Sequence, residues 1–353
     1  MIKYLRLFLL PFSILYGIVV LVRNKLYDAG IFKSTSFSIP VICVGNLVVG
    51  GSGKTPVTEY LVQLFNGKRI AILSRGYGRK TNGYILADQH ATAETIGDEP
   101  MQFYQKFPQV TVAVCEDRVK GIRLLEAAHD LIILDDAYQH RSVRPGFSIL
   151  LFEYQKLLSQ QFLLPAGNLR EPFKGYKRAD SLLVTKAPEQ LDPVKKEQCA
   201  ERFEVKSRES LAFSSLTYGR LTGLFSKEEL PVDQIDPSTH IYLLTGIANP
   251  EPLVSYLKQY TSHVQHFDHP DHYSFKLADI HKLVNAFTQN AAADKLIITT
   301  EKDAQRLNSE SLRELLLNLP LFYLPVKIAL SGKDKATFDQ KILDYVSGTT
   351  GNR

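Results

Sequence analysis

The stretch PVICVGNLVVGGSGKTP, Pro40 to Pro56, decides how the rest of the chain is read. Val41 to Val44 form a short apolar run suited to a buried strand. Gly50, Gly51 and Gly53 surround Ser52, and Lys54-Thr55 lead into the helix-like run VTEYLVQLF. A glycine-rich turn between a strand and a helix N-terminus lets backbone N–H groups wrap a phosphate with no Cβ atoms in the way. The pattern implies a cradle for a nucleoside triphosphate such as ATP, made by Val48, Val49, Gly50, Gly51, Ser52, Gly53, Lys54 and Thr55. Lys54 would reach the β- and γ-phosphates, and the Thr55 hydroxyl would sit on Mg²⁺. The strict pattern has glycine where Val48 stands. The strand before and the helix after favour the phosphate reading over a chance turn.

Composition narrows the class. At 353 residues, 44% hydrophobic and 22% charged, the chain can bury a full core, and disordered and fibrous classes are excluded. The formal net charge is +5, and much of it lies at the front, where Lys3, Arg6, Arg23, Lys25 and Lys33 face Asp28 alone. The remainder is near neutral, which argues against a general nucleic-acid binder and points the basic front at anionic lipid. Cys43, Cys115 and Cys199 are odd in number and widely spaced, giving neither a disulfide framework nor zinc spacing. A reducing cytoplasm fits them.

Leu7 to Val22, LFLLPFSILYGIVVLV, is an uncharged run of 16 residues. As a helix it reaches roughly 24 Å, short of the ~30 Å hydrocarbon core. No small-residue cleavage site follows it, against a signal peptide. Both flanks are basic, so a single span would have no clear orientation. An interfacial helix is expected, with both basic ends on one anionic leaflet and Phe8, Phe12 and Leu15 dipping inward; a span and a buried core helix are the alternatives.

Short β-branched runs then alternate with helical stretches: Arg69–Leu73, Val110–Val114, Leu131–Leu134, Phe147–Phe152 and Ser181–Val184. Alternation of this kind predicts an α/β fold with a mostly parallel sheet. The expected organisation is a membrane-associated helix over 1–30 and a P-loop NTPase-like domain over 31–205. An extended connector over 206–237 and a second, smaller α/β domain over 238–353 complete it.

Leu131–Leu134 ends in Asp135-Asp136, some 80 positions after Lys54. A carboxylate at the carboxyl end of a parallel strand is where a Mg²⁺ ligand belongs beside a phosphate loop; the plainer reading is a solvated strand end or a helix cap. The segment Phe267 to Tyr273, FDHPDHY, is dense in histidine but lacks a zinc set. A general base or its orienting partner is one reading, a solvated loop the other. Gly97-Asp98-Glu99-Pro100 is an acidic helix start, and Leu164–Pro172 a rigid loop around Arg170-Glu171.

Nine stretches occur in a telling order: VGNLVVGGSGKTPV (44–57), SRGYGRK (74–80), GDEP (97–100), DRV (117–119), DDAYQHR (135–141), LLPAGNLREP (163–172), TGIANPEPL (245–253), PDHYSF (270–275) and TEKDAQRL (300–307). Together they resemble the tetraacyldisaccharide 4′-kinase family of lipid A biosynthesis, whose phosphate loop tolerates a non-glycine at the position of Val48. The resemblance implies an ATP- and Mg²⁺-dependent kinase on the cytoplasmic face of the bacterial inner membrane, attached by its N-terminal helix. Its acceptor would be an acylated glucosamine disaccharide 1-phosphate, phosphorylated on the 4′-hydroxyl, with no obligate protein partner. By the same resemblance Asp98 deprotonates that hydroxyl and His272 is its partner, with His269 a rival. Thr55, Asp135 and Asp136 serve the metal, and Glu99, Gln139, His140, Arg170 and Glu171 line the site. Arg75, Arg118 or Arg170 would meet the acceptor's phosphate.

Two other classes share some of these features and fit less well. The loop also resembles GGxGKT of the membrane-partition ATPases, but that class has lysine where Val49 stands. A non-catalytic lipid-binding protein with a degenerate loop is opposed by the intact Lys54-Thr55 and Asp135-Asp136.

Overall fold

The computed structural model describes residues 6–203, 210–330 and 332–350. Its strands are β1 (Val41–Asn46), β2 (Ile70–Ser74), β3 (Ile85–Leu86), β4 (Thr111–Val114), β5 (Leu131–Asp135), β6 (Phe147–Glu153), β7 (Ser181–Thr185) and β8 (Leu211–Tyr218). They continue as β9 (Leu221–Gly223), β10 (Glu229–Leu230), β11 (His240–Thr245), β12 (Val264–Asp268), β13 (Lys295–Thr300), β14 (Leu321–Leu324) and β15 (Val326–Leu330).

The first unit comprises Met1–Leu216 and Ile328–Arg353. Its nine-stranded sheet has the order β15-β8-β7-β6-β1-β5-β2-β4-β3. The pairs from β8 through to β4 are parallel, and β3 closes the edge antiparallel to β4. β1, β2, β5, β6 and β7 are buried along their whole length, as near-continuous apolar runs covered on both faces should be. One face carries Val41, Cys43, Leu73 and Leu134, the other Ile42, Val44, Ile72 and Ile133, the alternation a pleated strand imposes. All three cysteines are buried free thiols within this unit. After β1 the chain crosses to β2 on one side and later places β6, β7 and β8 on the other. The turn leaving β1 therefore lies at a switch in strand order, where doubly wound sheets open their ligand crevice.

The second unit, Thr217–Lys327, has its own sheet, β10-β9-β14-β13-β11-β12. The strands from β14 to β12 are parallel, while β9 and β10 add antiparallel at the edge. Two apolar layers cover it, one around Leu243 and Leu257, the other around Ile280, Leu283 and Leu316.

These unit boundaries differ from the expected ones. The predicted junction at 205–206 lies outside the described residues, as does Lys3. The described part of 206–237 is no free connector: β8 joins the first sheet, and β9 and β10 the second. The last helix, Gly332–Thr350, packs on the first unit through Phe338, Ile342 and Val346. Its Tyr345 hydroxyl donates to the Val41 carbonyl at 3.3 Å and accepts from the Val41 N–H at 2.9 Å. Spacing by four residues reveals a helix with an apolar face but not which core receives it. Gly146 makes room for this ring, since a Cβ there would lie 2.5 Å from Tyr345 Cε2. Gly146→Ala should therefore cost about 1–3 kcal/mol by overpacking, lowering the melting temperature by roughly 2–10 °C. An unchanged melting curve would show that the helix does not need this seat.

At the front, a 3₁₀ turn (Arg6–Leu9) runs into the helix Leu10–Asp28. Together they make 23 residues, the one described helix long and apolar enough to cross a membrane. One of its faces is bonded to the loop 163–171. Arg6 donates to the carbonyls of Pro165 and Gly167, Ser13 donates to Leu163 O and accepts from Ala166 N, and Tyr16 donates to Arg170 O. Gly17 lets that loop approach, because a Cβ would fall 2.7 Å from Leu163 Cδ1. The opposite face exposes Phe8, Phe12, Leu15, Ile18, Val19 and Val22.

Candidate active site

β1 ends at Asn46, and its side chain begins the loop by donating to Ser52 Oγ at 2.7 Å. Gly50 and Gly53 take φ of 105° and 84°, a region closed to most side chains. Gly53 is also the residue that caps the helix Lys54–Leu64. The loop's flank is pinned to the segment 168–170: Val49 N–H donates to Asn168 O at 2.9 Å and Arg170 N–H to Leu47 O at 2.7 Å. Val48 bridges Leu169 and is buried. Val48, which breaks the glycine pattern, and its neighbour Val49 are thus held in a short strand-like contact.

Two acids face this loop from the end of β5, which pairs with β1 so that Val44 lies opposite Asp135. Asp136 turns left-handed, φ 48°, and carries its carboxylate to Lys54 Nζ at 3.6 Å and to Arg170 Nη1 at 3.0 Å. Asp135 points inward with 1% of its surface exposed. Its Oδ2 accepts from Ser74 Oγ at 3.4 Å, while its Oδ1 has no hydrogen-bond partner. Burial, then the charges of Glu99 and Asp136, push its carboxyl up to about 7, against the pull of Lys54 and Arg118.

Asp98 opens the helix Asp98–Lys106 after Gly97, whose φ is 96°. Gly97 fits close under the loop after β2, where a Cβ would lie 3.0 Å from Tyr77 O and 3.2 Å from Gly76. The helix is tied to the one that begins at Lys54, because buried Glu59 accepts from Gln102 at 2.8 Å and pairs with Lys106 at 2.7 Å. Asp98 and Lys54 therefore sit on helices braced against each other.

Other expected residues have more internal roles. Gln139 donates to Asn46 O at 2.8 Å and to Glu171 Oε1 at 3.0 Å. Glu171, 1% exposed, is held by Arg178 at 2.8 Å and by Asn24 at 3.2 Å. Arg118 is buried and donates to the carbonyls of Cys115 and Glu116, beside Asp135, while Arg75 is exposed. Burial, with the charges of Arg118, Arg23 and Arg75, drives His140 down to about 4, so its ring is neutral at neutral pH.

The second unit gathers its own polar groups at the carboxyl ends of β11, β12 and β13. Buried Asp303 accepts from Gly246 N–H at 3.0 Å and from Thr300 Oγ1 at 2.7 Å, and pairs with Arg306 at 2.9 Å. His272 takes φ 60°, donates its N–H to Gly246 O at 3.1 Å, and has Nε2 3.1 Å from Lys302 Nζ. His269 instead stacks on Tyr273 with ring centres 4.5 Å apart and meets Phe275 edge-on. The His269 N–H is bonded as well, to Thr245 O at 2.9 Å, so the two histidines differ in their rings, that of His272 beside a lysine and that of His269 among aromatic side chains.

Comparison with known proteins settles the family. A model described as tetraacyldisaccharide-1-P 4′-kinase matches residues 5–347. The chain belongs to the tetraacyldisaccharide 4′-kinase family. It is 44% identical to the tetraacyldisaccharide 4′-kinase of Flavobacterium johnsoniae over 347 residues, covering 97% of both chains. It is 43% identical to that of Bacteroides thetaiotaomicron over 358 residues, covering 98% of this chain and 94% of the relative. Among solved structures it is similar to the "apo" form of LpxK from Aquifex aeolicus in complex with ATP, with a TM-score of 0.74, 32% identity, and coverage of 97% and 99%.

Set against the family's motifs, the structure adds residues that the sequence reading passed over. Ser74 closes β2 on Asp135, and Arg178 neutralises Glu171. Thr185 Oγ1 donates to Ser52 O at 2.8 Å and Lys186 Nζ to Gly51 O at 2.7 Å. The only sequence signal for the last two is their place just after the apolar run Ser181–Val184.

Proposed function

We propose that this chain moves the γ-phosphoryl group of ATP to the 4′-hydroxyl of an acylated glucosamine disaccharide 1-phosphate, with the loop Val48–Thr55 as the ATP site. The activity is that of the family. The observation that carries the location is the meeting of Lys54, Asp136 and inward-facing Asp135 at one strand end beside a left-handed glycine loop.

Phosphoryl transfer leaves little covalent work to a protein, so positioning and charge neutralisation dominate. Loop amides and Lys54 receive the β- and γ-phosphates. Lys54 exchanges Asp136 for phosphate, and Asp136 keeps Arg170 as its partner. Mg²⁺ is commonly held by one or two carboxylates together with phosphates and water. Among the described residues no three His, Cys, Asp or Glu side chains form a metal cage, which is compatible with that habit. The orphaned, buried Asp135 Oδ1 suits such an ion. Thr55 and Asp135 would hold it, with Asp136 as the second acid. When bound, the ion offsets the charge on the β- and γ-phosphates. Asp98 takes the proton of the 4′-hydroxyl, and His272 is proposed as the second catalytic residue.

The N-terminal helix is read as interfacial. Its hydrogen bonds to the loop 163–171 run from Arg6 to Asn24, so it could not cross a bilayer without drawing that loop in. Its free apolar face suits the headgroup boundary of the inner membrane's cytoplasmic leaflet, where the acceptor's acyl chains would remain.

The test uses detergent-solubilised protein, Mg·[γ-³²P]ATP and the acylated disaccharide 1-phosphate. Label should appear in lipid, and Lys54→Ala should abolish it. ATP hydrolysis without labelled lipid would overturn the kinase reading in favour of a switch-type NTPase.

A further inference from the structure

Two consecutive side chains at the carboxyl end of β7 grip two consecutive carbonyls of the phosphate loop, Thr185, its last residue, that of Ser52 and Lys186, the next, that of Gly51. Lys186 adopts φ 55°, a left-handed conformation that side chains other than glycine rarely take. Its ammonium has a second partner 3.3 Å away in buried Glu153, the last residue of β6. Burial draws the ammonium below the ordinary lysine value, and the Glu153 charge opposes that. Both ends of the side chain are thus fixed, the backbone after β7 and the nitrogen at β6 and the loop. The four-carbon stem joins these two ends, and the residue is half-buried.

The direction of a bound triphosphate follows from the strand order. Its terminal phosphate belongs on the β5 side of β1, where Lys54, Asp135 and Asp136 meet. The nucleoside end then leaves on the opposite side, over β6 and β7. Those strands lie about 5 and 10 Å beyond β1, a distance that a triphosphate with its ribose can cover.

We propose that the Lys186 stem is the platform on which one face of the nucleotide base rests, its ammonium drawn aside by Gly51 and Glu153. Lysine stems bury apolar surface while their charge is held elsewhere. This rests on the ATP reading of the loop. Lys186 then serves two ends: it braces the loop through its nitrogen and receives the base along its carbons.

The two roles separate with two variants and two ligands. Full-length wild type, Lys186→Met and Lys186→Ala are titrated calorimetrically with ATP and with tripolyphosphate, each with Mg²⁺. Met keeps the stem and loses the brace, so it should weaken both ligands by the same factor. Ala also removes the stem and should weaken ATP about tenfold beyond Met through lost apolar burial, with tripolyphosphate as in Met. Equal ATP affinity in Met and Ala, or an equal further loss for both ligands, would overturn the platform. If wild type binds neither ligand, the loop itself is not the nucleotide site and the inference falls with that reading.

Discussion

Replacing Asp98 by asparagine is expected to lower kcat by roughly 10²–10⁴-fold while leaving the affinity for ATP within twofold of wild type. The amide preserves size and shape but cannot accept the hydroxyl proton. Asp98 stands in the first turn of its helix, so loss of its charge also forfeits about 0.3–1 kcal/mol of helix-dipole stabilisation, too little to unfold the unit. The braces through Glu59 to Gln102 and Lys106 remain, and the helix should keep its place beside the one that starts at Lys54. Glu99, the neighbouring acid, acts on Asp135 through its charge. Glu99→Gln should therefore alter the pH dependence of Mg·ATP binding more than the rate at saturation. The measurement is labelled-phosphate transfer at saturating ATP and acceptor, with ATP affinity determined separately. A kcat for Asp98→Asn within threefold of wild type would remove the residue from the chemistry. A parallel loss of ATP affinity would mean that it supports the nucleotide site instead.

What the sequence discloses depends on how local the physics is. The strand, glycine turn and helix from Pro40 to Phe65 are legible because glycine spacing, β-branching and the Lys-Thr pair all act within a few residues. Asp135 and Asp136 are legible as a pair but not as individuals. Successive strand residues face opposite ways, and the left-handed turn at Asp136 completes the separation, one acid inward and the other onto Lys54 and Arg170. Arg170 and Glu171 part in the same manner, the first to Asp136 and the second to Arg178. That the His269 ring and not that of His272 packs against Tyr273 and Phe275 is a tertiary contact that no spacing reveals. Lys186 was invisible for the same reason: its partners Gly51 and Glu153 are 135 and 33 residues away. The return of the final helix to the first sheet is the most non-local feature, with Tyr345 meeting Val41 across 304 positions.

Asp135→Asn should raise the stability of the metal-free protein, and by an amount that depends on pH. The folded carboxyl titrates near 7 because it is buried and faces Glu99 and Asp136, whereas in the unfolded chain it returns to about 4. Between those values the folded state holds the proton and the unfolded state does not. Stability of the wild type therefore falls as pH rises from about 4 to about 7, and levels off above. Three units of separation amount to roughly 4 kcal/mol at the top of that range. Asparagine is neutral throughout and resembles the protonated acid in shape. In EDTA the two proteins should melt together near pH 4, and the variant should gain steadily to pH 7 and hold its lead to pH 8.5. A difference that is flat with pH would mean that Asp135 is ionised in the folded protein from the start, with its Oδ1 paired in solution. The same variant should lose phosphoryl transfer, since the atom that makes the carboxylate costly to bury is the one proposed to hold the ion. Stability gained at the expense of activity, with the gain growing between pH 4 and 7, is the signature of a buried acid kept for its charge rather than for the fold.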